Sequence, residues 1–391
     1  MNHASRFVSF FCLASCLSAV ALNACSSSSA DAGGDAGTGG PGADGGGTGE
    51  ASTDEGGSSA DGPTSDAPKV GCGTCPSGTT CGSANGIPVC RATSGIPVFS
   101  HLFVIMMENT SKASLDAATN TPYLKALATV AATGSDYHGT SHPSLPNYLA
   151  LTSGDDQGVK CDCSPVGASC TICNTLPFPS GCGCNQGVAH LGDQLEASGK
   201  TWKAYGEDMG TACNTATAGG YAPKHMPFLY YDNMQAGDAG ARCTSHVVPY
   251  AGFFATDLAA APPAFSFIAP SLTNDMHGTG LQQAAADVAQ GDTWLSTNAK
   301  AIIDSPAFKN GGLLVIVWDE DDGSGGLNPL SKTDDPIPIF VLSPYAKTSA
   351  FVSPVHGDHF SLLATIEDGL GVPRIGSAVG ATPLADYFPA N

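Results

Sequence analysis

Basic residues are scarce in this chain: 15 Lys and Arg stand against 35 Asp and Glu, a formal net charge of −20. Nucleic acid is therefore not expected as a partner, because backbone-phosphate binding needs clustered Lys and Arg and no basic patch occurs. From Ser26 to Pro68 there is no aromatic and no large aliphatic residue. Such a stretch cannot bury enough apolar surface to offset chain entropy, so residues 26–69 are expected to be a flexible tether. It carries eight acidic residues and no basic one up to Pro68, so much of the net charge belongs to the tether. After the first 25 residues no run is long and apolar enough to span a bilayer. Nor does a Gly-x-Ser-x-Gly segment surround Ser144, which disfavours a serine-histidine-aspartate elbow.

What is present begins with Arg6, an apolar stretch from Phe7 to Leu22, and Leu22-Asn23-Ala24-Cys25. A short apolar region closing on small residues reads as an export signal over residues 1–25. Leu-x-Ala-Cys resembles the bacterial lipobox, which implies that Cys25 is lipidated and becomes the new N-terminus. The chain is thus expected to be an exported, membrane-anchored bacterial lipoprotein. Of fifteen cysteines, Cys12 and Cys16 would leave with the signal and Cys25 would carry lipid. Twelve remain, an even number in an exported chain, which favours disulfides. Cys72, Cys75, Cys81 and Cys90 make a small module over residues 70–93, which has no core of its own and needs two disulfides. Cys72-x-x-Cys75 has a zinc-like spacing, but the second pair is too widely spaced for a familiar zinc motif. Six more cysteines, from Cys161 to Cys184, lie in a Gly/Pro/Ser-rich insertion over residues 160–185, and Cys213 and Cys243 follow. A disulfide-stapled loop is expected there, rather than an iron–sulfur cluster.

Residues 96–391 carry the chemistry. Apolar runs precede polar residues at His101–Met107 before Glu108, Phe265–Ile268 before Asn274, and Leu313–Trp318 before Asp319. Such runs read as strands buried on both faces, giving an α/β fold: a three-layer α/β/α sandwich around a mostly parallel sheet. Ligands bind beyond the carboxyl ends of such strands, so Glu108, Asn109, Asp275, His277, Asp319 and Glu320 are expected to converge. Ser144 follows Pro143 and is read as the cap of a helix running to Thr152 and ended by Gly154. Free N–H groups and the dipole at that end favour both an alkoxide and a bound phosphate. A serine hydroxyl needs a base or a cation to react, and Glu108, Asp319 and Glu320 suggest a divalent metal ion. Asn109 offers an amide to a phosphate oxygen, His142 a proton to a leaving group, and Asp292 a further ligand beside Asp275 and His277. Taken singly, each acid also reads as a loop residue or helix cap, Ser144 as a capping serine, and each histidine as a loop anchor; His138 is read as structural.

Met107-Glu108-Asn109, His142-Pro-Ser-Leu-Pro-Asn-Tyr148, Thr273-Asn-Asp-Met-His277 and Trp318-Asp-Glu-Asp-Asp-Gly323 together resemble the phosphoesterase family of the alkaline phosphatase-like superfamily. That family holds acid phosphatases and phospholipase C-type enzymes. The resemblance runs from about Ile96 to Phe388. It is closest to the acid phosphatase branch, through His142–Tyr148 and the tail His359–Glu367. Thr110-Ser111 departs from the Arg-Ser that often follows Glu-Asn, and from the aromatic, Asp and His of the phospholipase branch. The resemblance implies hydrolysis of a small phosphate ester or phospholipid by Ser144 through a phosphoseryl intermediate. It also implies one or two divalent ions, the second held by Asp275, His277 and His359, and a substrate-side place for His225. A phosphodiesterase or phospholipase C is the alternative within enzymes, and a non-catalytic surface-binding module the alternative outside them.

Overall fold

Two six-residue runs without a charged side chain, LFVIMM and LLVIVW, form the centre of the sheet, and every residue in them is buried. They pair in parallel from Leu313 beside Leu102 to Trp318 beside Met107. That register makes the two strands end level, so Glu108 and Asp319 emerge side by side. The Asp319 N–H donates to Met107 O at 3.0 Å, closing the pair. The computed structural model describes residues 71–166, 168–169, 182–235, 239–277, 285–322 and 334–390. The expected export signal, the tether and Cys25 lie outside these residues, as do Cys170 and Cys173.

In chain order the strands are β1 (Thr79–Ala84), β2 (Ile87–Ala92), β3 (Leu102–Met107), β4 (Ala132–Gly134), β5 (Ala168–Ser169) and β6 (Cys182–Gly183). They continue with β7 (Trp202–Gly206), β8 (Val247–Pro249), β9 (Phe265–Ala269), β10 (Leu313–Trp318), β11 (Ile339–Leu342) and β12 (Val352–Ser353). Eight of them form one sheet in the order β12-β4-β11-β10-β3-β9-β7-β8, and all of its pairings are parallel except those of β11. Complete burial of β3, β9 and β10 means that both sheet faces are covered, as the apolar runs require. Helix Ser144–Ser153 packs on helix His359–Leu370, and Pro122–Leu127 packs on Ala285–Asp304.

The serine helix is buried along its whole length and stops at Gly154, whose φ of 73° is left-handed. A Cβ there would meet Ile375 O at 2.5 Å, so glycine is needed for space as well as conformation. Ser144 is the first helical residue rather than the cap. The cap hydrogen bond comes instead from Asp162, whose Oδ1 accepts from Leu145 N at 3.1 Å.

The cysteine module is a hairpin, β1 with β2, turning at Asn85-Gly86 with positive φ at both residues. Disulfides Cys72–Cys81 and Cys75–Cys90 hold it. It packs against the sheet-bearing part of the chain: the buried Arg91 guanidinium donates to Gly95 O, Ser83 O and Pro389 O, and Asn85 Nδ2 donates to Pro344 O and Ala346 O. Further disulfides join Cys163 to Cys184 and Cys213 to Cys243, and Cys161 is also disulfide-bonded. No helix among the described residues is long and apolar enough to cross a membrane.

Candidate active site

Ser144 Oγ lies 3.0 Å from Glu108 Oε2, 3.4 Å from Glu320 Oε1 and 3.3 Å from Lys224 Nζ. The hydroxyl thus sits between two carboxylates and an ammonium at the start of a buried helix. Because Asp162 takes over the capping, the serine oxygen is released for these contacts. Asp162 Oδ2 also accepts from Lys224 Nζ at 2.8 Å, which aims the ammonium at the serine. Ser144 is 1 % exposed as a residue, whereas the side chains of Lys224 and His142 keep 24 % and 25 % exposure. Solvent therefore reaches the cluster from the Lys224 and His142 side.

The turn after β3 brings Asn109 into place. Its φ of 34° is left-handed, which Asn tolerates better than most residues. There its backbone N–H donates to Asp319 Oδ1 at 3.0 Å and its side-chain amide to Glu320 Oε1 at 2.8 Å. Glu108 receives the Tyr148 hydroxyl on Oε1, and His225 Nε2 lies 3.2 Å from the same oxygen. The His225 ring stacks on Tyr148 at 5.4 Å, and its Nδ1 lies 3.9 Å from Asp275 Oδ2. Asp275 is tied to the site through its carbonyl, which accepts from Glu108 N at 2.8 Å. His142 bridges Glu320 and Asp321 at 2.7 and 3.3 Å, just before a cis bond to Pro143. Within the same heptad, Asn147 folds the loop: its Oδ1 accepts from Thr140 N and Ser141 N, and its Nδ2 donates to Ser141 O.

Ser144, Glu108, Asn109, Asp319, Glu320, His142, His225 and Asp275 therefore come together. His359 stands elsewhere, with Nε2 2.6 Å from the Asp319 backbone carbonyl and Nδ1 3.1 Å from the Tyr137 hydroxyl. Both ring nitrogens face protein oxygens, and in this arrangement His359 positions Asp319. Asp292 also serves another purpose, accepting from Tyr123 N and Leu124 N at the start of helix Pro122–Leu127. His277 donates its N–H to Asp275 Oδ1 at 2.9 Å, and residues 278–284 beyond it lie outside the described set. Lys224, Tyr148 and Asp162 were not read as site residues from the sequence. Lys224 leaves a trace there as one of few basic residues, adjacent to His225, and Tyr148 as the last residue of the His142–Tyr148 motif.

Electrostatics divide the carboxylates. Burial resists the charge on Glu108, but His225, Lys224 and Tyr148 outweigh it and bring its pKa down to about 2. Asp319 is pushed well above the carboxylate range by burial and by the charges of Glu108 and Glu320. Glu320 is raised to about 7 by burial, with His142 opposing. His142, despite partial burial, is raised to about 10 by Asp321 and Glu320 and so is held as a cation. Asp319 Oδ2 is buried and has no hydrogen-bond partner among the described residues. Asp319 and Glu320, whose charge is disfavoured, with the unsatisfied Asp319 Oδ2 and the ionised Glu108 beside them, fit a hard divalent cation with oxygen ligands.

The family model described as Phosphoesterase family matches residues 114–373, which begins just beyond Glu108 and Asn109. A phosphatidylinositol-3-phosphatase of Mycobacterium tuberculosis is 30 % identical over 298 residues, covering 76 % of this chain and 85 % of that protein. A probable acid phosphatase of Kluyveromyces lactis is 25 % identical, covering 71 % of this chain and 60 % of its own length. An acid phosphatase of Aspergillus fumigatus is 24 % identical, covering 71 % and 56 %. The chain thus spans less than two thirds of these fungal relatives. Among solved structures, a protein in the alkaline phosphatase superfamily from Vibrio parahaemolyticus superposes with a TM-score of 0.49 at 13 % identity, covering 74 % of this chain and 71 % of that one.

Proposed function

The chain belongs to the phosphoesterase family and is a hydrolase of phosphoric esters, and from that premise we propose that it is a phosphomonoesterase with Ser144 as nucleophile. The observation that carries this reading is the Ser144 hydroxyl held between Glu108 and Lys224 at a helix N-terminus. Glu108 orients Oγ and draws its proton. The Lys224 ammonium and the dipole of the helix lower the cost of negative charge on Oγ and on the phosphoryl oxygens. Ser144 Oγ bonds to phosphorus as the ester oxygen leaves, and His142, held cationic, gives that oxygen a proton. In the second displacement a water replaces Oγ on phosphorus, the neutral His142 takes the water's proton, and Glu108 returns its proton to Oγ. Glu108, Asp319 and Glu320 would hold a divalent ion, which supplies Lewis-acid neutralisation of charge on the reacting oxygens. Asn109 keeps two of these carboxylates in position through its N–H and amide.

A monoester brings two negative charges and a diester one. Lys224 and His142 on the solvent side offer two cationic groups, which favours the monoester. A phosphate monoester carried on an inositol lipid is the second reading, supported by the similarity to the phosphatidylinositol-3-phosphatase of Mycobacterium tuberculosis. Acylation of Cys25 would hold the enzyme at such a surface. Rates should be compared on p-nitrophenyl phosphate, bis-p-nitrophenyl phosphate and vesicles containing phosphatidylinositol 3-phosphate, each with and without chelator. The proposal expects both monoesters to be cleaved in preference to the diester, with chelator abolishing turnover. A faster reaction on the diester would overturn it. For the anchor, wild type should partition into detergent and Cys25→Ala should not; a fully soluble wild type with an unmodified N-terminus would refute acylation.

A further inference from the structure

A second group of potential ligands lies outside the serine site. His138 Nε2 is 2.8 Å from Asp136 Oδ1, and His356 Nδ1 is 3.3 Å from Asp136 Oδ2. The two imidazoles face one another with ring centres 5.2 Å apart, and one ligand atom from each of the three residues falls within 4.8 Å of the others. None of the three belongs to the set around Ser144.

Backbone pairing preorganises this cluster. Tyr137 and Gly357 form a parallel bridge, with His138 N donating to Gly357 O and Gly357 N donating to Asp136 O, both at 2.9 Å. Extended backbone alternates its side chains, so the buried Tyr137 points inward to His359 while Asp136 and His138 share the outer side. His138 has a partner on its far nitrogen too: Nδ1 lies 3.1 Å from Asp334 Oδ1.

A neutral imidazole carries a single N–H. If that of His138 is given to Asp334, then Nε2 turns a lone pair toward a carboxylate oxygen at 2.8 Å. His356 Nδ1 faces the other oxygen of the same carboxylate. In that tautomer His138 Nε2 and Asp136 need a hydrogen or a metal ion between them, and His356 meets the other oxygen either through an Nδ1–H or by sharing the ion. The separations of 2.8 and 3.3 Å are close to a tetrahedron edge around zinc, roughly 3.3 Å for N and O ligands at about 2.0–2.1 Å. A carboxylate on the outer nitrogen of a ligating histidine is a common outer-shell arrangement, which gives Asp334 its place.

We propose that Asp136, His138 and His356 form a binding site for a divalent transition-metal ion such as Zn²⁺, with Asp334 orienting His138. The ion staples the segment between β4 and the serine helix to the segment leading into helix His359–Leu370. Through Tyr137 and His359 it steadies the carbonyl of Asp319 from outside the site.

The test uses full-length protein, stripped with chelator, reloaded with Zn²⁺ and desalted, with zinc per chain measured by elemental analysis. His356→Ala alters a side chain that is 65 % exposed, so it leaves the fold intact. Wild type should hold one more zinc ion than His356→Ala, and Glu108→Gln should retain that ion. Cobalt-loaded wild type should show visible bands of a low-coordinate nitrogen–oxygen site that are absent from His356→Ala. Zinc should raise the thermal midpoint of the wild type more than that of the variant. Equal zinc content and equal midpoint response in wild type and His356→Ala would overturn the proposal, leaving the cluster as hydrogen-bonded side chains only. So would loss of the only exchangeable ion in Glu108→Gln with retention in His356→Ala.

Discussion

Glu108, Asp319 and Glu320 are at most 3 % exposed, whereas Asp136 and His356 keep 43 % and 65 % of their side chains in water. Both clusters combine acids with histidines on loops that leave the sheet, yet their surroundings give them different capacities. Around Ser144 the charges are poorly screened, so neighbours drive Glu108 down to about 2 and Asp319 well above its ordinary range. Such a site fits a cation and can place strong fields on a reacting oxygen. In the outer cluster His138 is buried but water screens Asp136 and His356, and ligand geometry is what remains. Residue types alone do not separate a reaction centre from a staple; burial does.

The comparison breaks most visibly at the serine. Ser144→Ala should lower p-nitrophenyl phosphate turnover by about 10⁴–10⁶-fold, with an unchanged circular dichroism spectrum. Asp319→Asn should cost on the order of 10²-fold or more, and added divalent ion should restore part of it; Ser144→Ala should not respond to the ion. Lys224→Met should lower kcat/KM for monoesters about 10–10²-fold and for diesters less, since a charge facing the phosphoryl oxygens is lost. Equal losses on both ester types would remove Lys224 from the role assigned to it.

Glu367 sharpens the comparison, being a buried carboxylate that belongs to neither cluster. Burial raises it from the model-peptide value of 4.5 to about 8, against donors from Gln194 and Ile375 and the charge of Arg374. The folded state then keeps a proton that the unfolded chain releases between those values. Stability should therefore fall as pH rises from about 4.5 to about 8 and change no further from this group above that. Glu367→Gln should flatten that slope by on the order of a few kcal/mol, read from urea midpoints at pH 5 and pH 8. A variant with the wild-type slope would show that burial alone does not set this carboxyl. The smallest effect is expected from His356→Ala, whose turnover should stay near wild type while its zinc content falls.

Much of the central site was legible because it obeys local rules. Unbroken apolar runs forecast buried strands of a parallel sheet with Glu108 and Asp319 converging beyond their carboxyl ends; that the two strands are neighbours is seen only in the structure. Pro143 before Ser144 and Gly154 after the helix marked its ends. Lys224 was not legible, since it reaches Ser144 across 80 positions and is aimed by Asp162 from the cysteine-rich insertion. His359 shows the limit from the other side: it opens the last helix as expected, but its ring meets the backbone of Asp319, a contact set by packing rather than by spacing. The same holds for Asp292, whose helix-capping partners lie 168 and 169 residues away. Nothing local announced that β11, inside a Pro-rich segment, would run against its neighbours.

The central claim is a covalent phosphoserine, and the stereochemical course at phosphorus tests it most directly. An isotopically chiral phosphate monoester should be hydrolysed or transferred to an alcohol acceptor with net retention, because two in-line displacements invert the centre twice. Inversion would mean that water attacks the substrate directly, and Ser144 would then not be the nucleophile.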